Sequence, residues 1–105
     1  MKKIPNTQKI SNITFNRSVQ PFCPLGQDYY TAEIHVDFEV VDSYMDYIEF
    51  DKWIQGLGGA SLTIEELAEA VFEKMKEFEP GYLRVVIDAN SNKHFPVTVE
   101  KTSDY

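Results

Sequence analysis

Hydrophobic and polar residues alternate over a long stretch near the middle of the chain. Between Tyr30 and Val40, six apolar side chains at every second position are separated by polar ones. A period of two over this length indicates a long β-strand with one buried and one solvent-facing side. Shorter alternating runs predict a strand that begins near Ile10 and two strands around residues 83–88 and 95–99.

Two segments between these strands follow a helical period instead. In the first, Asp46 is a candidate N-terminal cap, and apolar residues recur at three- and four-residue steps as far as Leu57. In the second, Thr63 and Glu66 form a capping box before an apolar stripe, and Pro80-Gly81 ends the helix. The order β-β-α-α-β-β predicts the α+β fold class, with a four-stranded antiparallel sheet and both helices on one face.

The remaining segments are expected to be irregular. Residues 1–9 are interpreted as a loose basic leader, and residues 21–27 are too rich in turn formers for regular structure. Residues 90–93 predict a turn before the last strand. Pro96 lacks an N–H, which favours an edge position for that strand.

Length and composition restrict the class of protein. We interpret the 105 residues (12.1 kDa) as one domain spanning residues 1–105, and 43% hydrophobic residues exclude a wholly disordered chain. No apolar run approaches the ~20 residues of a membrane-spanning helix, which argues against a membrane partner. A single cysteine and a polar N-terminus without a signal-peptide pattern predict a cytoplasmic location.

The charge is acidic overall but unevenly distributed. Ten basic and 17 acidic residues give a net charge of −7. Residues 1–20 hold four basic residues and no acid, whereas residues 28–79 hold 14 acids and three lysines. An acidic body argues against a broad basic face for nucleic acid, although the basic N-terminal segment leaves room for one local phosphate contact.

Few side chains are candidates for chemistry, and each has a structural alternative. Cys23 is either a small buried hydrophobe or a reactive thiol in an irregular loop. Asp28 either caps a turn or acts as a general acid beside Cys23. Glu65 either complements the helix dipole or accepts N–H groups from a purine-like base. His35 and His94 have no cysteine or histidine at ligand spacing, so we expect no metal site.

Three stretches resemble the QueF family, the nitrile-processing enzymes of 7-deazaguanine metabolism. Residues 22–31 (Phe-Cys-Pro-Leu-Gly-Gln-Asp-Tyr-Tyr-Thr) are similar to the family's active-site stretch, Cys-Pro-x-x-Gly-Gln-Pro-Asp-Phe. Residues 63–67 are similar to its second site, where a His-Glu pair opens the second helix. Residues 79–85 are similar to its Pro-x-Tyr stretch before the third strand. The resemblance covers roughly residues 13–100.

The resemblance implies a fold, an assembly and roles for three residues. It implies the tunnelling fold, in which the sheets of several subunits form an oligomeric barrel with active sites between chains. The chain is therefore expected to be a homo-oligomer in which Cys23 and Glu65 could meet only across an interface. Cys23 is expected to be the nucleophile, Asp28 the proton donor and Glu65 the residue that binds the deazapurine base.

The sequence departs from the family pattern at three places, and the third distinguishes between the two branches of the family. The spacing from Cys23 to Asp28 is two residues shorter, and Ile64 stands where the family has histidine. The lysine-rich stretch that holds the phosphates of NADPH in the reductases corresponds here to residues 45–52, with Lys52 among three acids. This chain is more similar to the QueF-like amidinotransferases, which lack that stretch and add ammonia to the same nitrile.

The predicted activity is therefore formation of a thioimide between Cys23 and 7-cyano-7-deazaguanine, either free or within a nucleic acid. Ammonia is the expected second substrate, and no cofactor is expected. Two alternatives stay open. One is an NADPH-dependent 7-cyano-7-deazaguanine reductase, and the other is a non-catalytic tunnelling-fold protein that binds a pterin or purine.

Overall fold

The computed structural model describes residues 1–90 and 96–103. His94, Phe95 and most of the predicted turn at residues 90–93 lie outside the described residues. The described elements, in chain order, are β1 (Lys3–Pro5), β2 (Asn12–Val19), β3 (Phe22–Cys23), β4 (Asp28–Tyr29), β5 (Ala32–Glu39), β6 (Ser43–Met45), α1 (Tyr47–Gln55), α2 (Ile64–Lys76), β7 (Leu83–Asp88) and β8 (Thr98–Thr102).

Four strands form the central sheet, in the order β2-β5-β7-β8, and all neighbours are antiparallel. The alternation in β5 produces one buried face, because every second residue from Ala32 to Phe38 is 0% exposed. The strand β8 lies at an edge of the sheet, as the sequence predicted, and Pro96 precedes it.

Both helices begin where the sequence predicted. The Asp46 carboxylate accepts the N–H groups of Ile48 (3.0 Å) and Glu49 (3.2 Å) at the start of α1. Thr63 and Glu66 form both hydrogen bonds of the capping box at the start of α2. The buried residues of both helices join one hydrophobic cluster with the inward-facing residues of the sheet, so both helices cover the same face. The α+β architecture with a four-stranded antiparallel sheet and two helices is confirmed.

The N-terminal segment differs from the loose leader that the sequence predicted. The strand β1 pairs antiparallel with β6, outside the central sheet. Asn6 holds this arrangement, because its amide nitrogen donates to the carbonyls of Ile10 (3.0 Å) and Val41 (3.1 Å) while its Oδ1 accepts the N–H of Ile10 (2.9 Å). The bond to Val41 and the pairing of β1 with β6 join distant segments, and no local sequence pattern marks such contacts. The prediction of a loose leader was wrong for this reason.

The face of the sheet opposite the helices is polar. Arg84 pairs with Glu100 on this face, and Asp37 accepts hydrogen bonds from Asn12 and Thr14. A cavity of about 440 Å³ opens here, lined by residues of β2, β5 and β7. We call this surface the open face. In the described part of the chain, neither helix is long and apolar enough to cross a membrane.

Candidate active site

The segment around Cys23 is a small hairpin, although the sequence predicted irregular structure there. The strands β3 and β4 are antiparallel, with Phe22 opposite Tyr29 and Cys23 opposite Asp28. Asp28 therefore belongs to a separate short strand and does not begin the long strand. The four residues between the strands are the turn formers, and Gln27 closes the turn by donating its N–H to the carbonyl of Cys23 at 2.8 Å.

The register of the hairpin brings the Cys23 thiol and the Asp28 carboxylate to one side. Directly opposed residues of an antiparallel pair have Cβ atoms roughly 4.5–5.5 Å apart. Cys23 is half-buried, and the N–H of Gly26 lies 3.4 Å from its Sγ. Asp28 is exposed and accepts the N–H of Tyr29 at 2.8 Å. A thiol with an N–H donor and a carboxylate beside it has what nucleophilic attack requires: a polar environment for charged sulfur and a group for proton transfer.

Hydrogen bonds tie this hairpin to the segment that leads into α2. The N–H of Phe22 donates to the carbonyl of Ala60 at 2.8 Å, and the N–H of Leu62 donates to the carbonyl of Phe22 at 2.9 Å. The residue after Phe22 is Cys23, and Glu65 lies in the first turn of α2. These bonds place the candidate nucleophile and the candidate base-binding residue in one region of a single chain.

Tyr30 lies between these two parts of the site. Its ring is buried, and its hydroxyl donates to the carbonyl of Leu62 at 2.7 Å. Burial, followed by the negative charges of Cys23, Glu65 and Glu66, raises the pKa of Tyr30 above its usual range. Tyr30 therefore links the hairpin that carries Cys23 to the segment that precedes Glu65.

The sequence did not identify Tyr30 as part of the site. In the hydrophobic pattern, Tyr30 is only the first apolar position of the long alternating run. The partner of its hydroxyl is a backbone carbonyl 32 residues away. No spacing rule relates two such positions, so only the folded chain reveals the contact.

Residues 45–52, which the resemblance relates to the cofactor-binding stretch of the reductases, run from the last residue of β6 into α1. Asp46 caps the helix, Glu49 accepts the backbone N–H of Lys2 at 3.2 Å, and Asp51 forms an ion pair with Arg17 at 2.8 Å. Lys52 is the single basic residue of this stretch. This stretch therefore carries three carboxylates, of which Asp51 is paired with Arg17.

Comparison with known proteins supports the fold. No protein-family model and no curated protein matches the sequence. Among solved structures, the chain is similar to an archaeosine synthase, QueF-Like, in the apo form. The TM-score is 0.82 at 23% sequence identity, over 90% of this chain and 95% of the other. The resemblance of the sequence to the QueF family is thus confirmed at the level of the fold.

Proposed function

We propose that this chain, having the fold of an archaeosine synthase of the QueF-like type, is an enzyme of 7-deazaguanine metabolism that uses Cys23 as its nucleophile. The observation that carries the proposal is the position of Cys23 directly opposite Asp28, in a hairpin hydrogen-bonded to the segment before Glu65. The nucleophile, proton donor and base-binding residue expected from the resemblance thus lie in one region of the chain.

The first step is addition of the Cys23 thiolate to the nitrile carbon of 7-cyano-7-deazaguanine. A carbon–sulfur bond forms, one π-bond of the nitrile breaks, and the nitrile nitrogen takes a proton. Asp28, on the neighbouring strand, takes the proton from the Cys23 thiol as the thiolate forms and passes it to the nitrile nitrogen. The product is a covalent thioimide on Cys23.

The second step is displacement of sulfur by ammonia. Ammonia adds to the thioimide carbon and loses a proton to Asp28, the carbon–sulfur bond breaks, and Cys23 leaves as the thiolate. The product is an amidine, and the net reaction adds one ammonia to one nitrile with no change in oxidation state. The three carboxylates of residues 45–52 favour ammonia over NADPH, since ammonia needs no cationic site.

Glu65 provides recognition of the base. Its position in the first turn of α2 leaves the carboxylate exposed near Tyr30, where it accepts N–H bonds from the edge of the deazaguanine. The substrate base is either free or part of a nucleic acid. Of the four basic residues among residues 1–20, Arg17 is paired with Asp51, so Lys2, Lys3 and Lys9 are the candidates for a contact with a phosphate backbone.

Intact-mass measurement tests the first step. Protein incubated with 7-cyano-7-deazaguanine, or with nucleic acid that contains it, should gain the mass of the nitrile compound. Cys23→Ala should gain none, and Asp42→Asn, a substitution of an exposed carboxylate elsewhere, should react like the parent. If the parent protein gains no adduct from either substrate form, the chain is better described as a non-catalytic tunnelling-fold protein.

Product analysis tests the second step. Side-by-side incubations with ammonium and with NADPH should give an amidine in the first and no loss of NADPH absorbance in the second. An aminomethyl product formed at the expense of NADPH would assign the chain to the reductases and leave the Cys23 adduct standing.

A further inference from the structure

The open face carries a group of side chains that the proposed reaction does not use. Glu33 and His35 lie two residues apart on β5, and Asp88 of β7 stands directly opposite Glu33. One ligand atom from each of the three lies within 4.8 Å of the other two. All three positions belong to paired strands of the central sheet, so the backbone that carries them is held by the ladder hydrogen bonds.

A residue outside the group orients the imidazole. Asn16 stands opposite His35 in the register of β2 with β5, and its Oδ1 lies 2.5 Å from the His35 Nδ1. An amide oxygen only accepts, so this contact favours a proton on Nδ1, and in that neutral tautomer Nε2 is the nitrogen that binds a metal. That Nε2 lies 3.8 Å from a carboxylate oxygen of Glu33. Histidines that bind metals almost always donate their second ring N–H to such an outer partner, which fixes the tautomer.

The three side chains match the ligands of a zinc-type ion. Histidine nitrogens and Asp or Glu oxygens all bind Zn²⁺, and three protein ligands leave the fourth position of the ion for water. At bond lengths of about 2.0–2.2 Å, ligands of a tetrahedral ion lie about 3.4 Å apart. The 3.8 Å between His35 and Glu33 is within a small side-chain rotation of that value. The cavity of about 440 Å³ lined by His35 and Asp88 leaves room for the ion and its water.

Electrostatics also favours a cation at this place. Glu33 and Asp88 are like charges at directly opposed positions of an antiparallel pair, which destabilises a sheet. We propose that Glu33, His35 and Asp88 bind one divalent transition-metal ion of the zinc type on the open face, with Asn16 as the positioning residue of His35. This site is separate from Cys23 and is independent of the proposed function.

Calorimetric titration of Zn²⁺ into the full chain, in a buffer that does not bind metals, tests the proposal. We expect saturable binding of one ion per chain. His35→Gln should abolish it, and Asn16→Ala should weaken it about tenfold although Asn16 does not touch the ion. Glu33→Gln changes an exposed position and should also weaken binding. It replaces His35→Gln as the test if circular dichroism shows that His35→Gln is unfolded.

Two further variants serve as controls, because cysteine and histidine are zinc ligands wherever they occur and each control removes one that lies outside the proposed site. Cys23→Ala and His94→Ala should bind Zn²⁺ like the parent protein. The proposal is overturned if the parent shows no saturable binding, if Glu33→Gln and a folded His35→Gln bind as tightly as the parent, or if either control variant loses the ion.

Discussion

Replacement of Tyr30 by phenylalanine removes one hydroxyl group from the junction between the hairpin and α2. The ring is 8% exposed, so the hydrophobic packing is retained and the change isolates the hydrogen bond to the carbonyl of Leu62. Loss of a buried hydrogen bond that leaves its partner unsatisfied costs about 1–3 kcal/mol. Because Leu62 is only partly buried, we expect a loss near the lower end, about 1 kcal/mol.

Chemical denaturation measures this loss directly. In a separate thermal unfolding experiment, a change of 1 kcal/mol should lower the melting temperature by about 4–8 °C in a domain of this size. The matched control is Tyr47→Phe, at a position that is 59% exposed, where the change should stay within about 0.5 kcal/mol. A loss for Tyr30→Phe no larger than for the control would show that the bond to Leu62 does not hold the junction.

The pH dependence of stability provides a second measurement on the same variant. The folded chain holds the pKa of Tyr30 above its ordinary value of 10.0, chiefly through burial. The unfolded chain therefore releases this proton first, and the free energy of unfolding falls as the pH rises above 10.0. Tyr30→Phe should show a shallower fall than the parent protein over that range. Equal slopes would contradict the raised pKa.

Three other predictions address the base-binding residue, the cap of α2 and the assembly. Glu65→Gln should weaken binding of 7-cyano-7-deazaguanine at least about tenfold by calorimetry, since a charge-assisted hydrogen bond contributes about 1.5–3 kcal/mol. The control is Glu73→Gln on the same helix, which should bind like the parent. If Glu65→Gln binds as tightly as this control, Glu65 only complements the helix dipole. Thr63→Ala should cost about 1 kcal/mol in urea unfolding, and an unchanged unfolding curve would contradict the capping box. The backbone N–H of Thr63, followed by its hydroxyl, lowers the pKa of Glu66, and stability is lost as the pH falls through that lowered pKa. Alanine keeps the N–H and removes only the hydroxyl, so the loss of stability at acidic pH should be slightly smaller than in the parent. Light scattering should give the mass of a homo-oligomer, because β2 and β8 are the edge strands of the described sheet and edge strands pair readily with another chain. A monomer at micromolar concentration would count against the barrel.

The sequence predicted the parts of the fold that depend on local patterns. The period-two alternation located β5, and the cap residues Asp46 and Thr63 marked the starts of both helices. These signals succeed because each depends on residues within one turn or one strand. The pairing of β1 with β6 was not predicted because it joins residues about 40 positions apart, such as Lys3 and Met45, and the neighbouring bond from Asn6 to Val41 spans 35 positions.

The candidate site shows the same division. Cys23 and Asp28 could be selected because they are close in sequence and match a known motif. The contact of Tyr30 with Leu62 and the group on the open face could not, because each joins residues from separate segments. The expectation of no metal site considered only cysteines and histidines at fixed spacing. It did not consider His35 together with Asp88, which lies on the neighbouring strand directly opposite Glu33.

The register of the β3–β4 hairpin has a consequence for how such proteins are recognised. Cys23 and Asp28 are neighbours because they face each other across two paired strands, and the turn between them only connects the strands. A longer turn joined to the same register would keep the two side chains equally close, while changing their separation along the chain. A search pattern for this site should therefore let the number of intervening residues vary and require a cysteine and an aspartate on opposed strands. A pattern written in this way would accept the spacing of five residues found here, which a pattern of fixed spacing would miss.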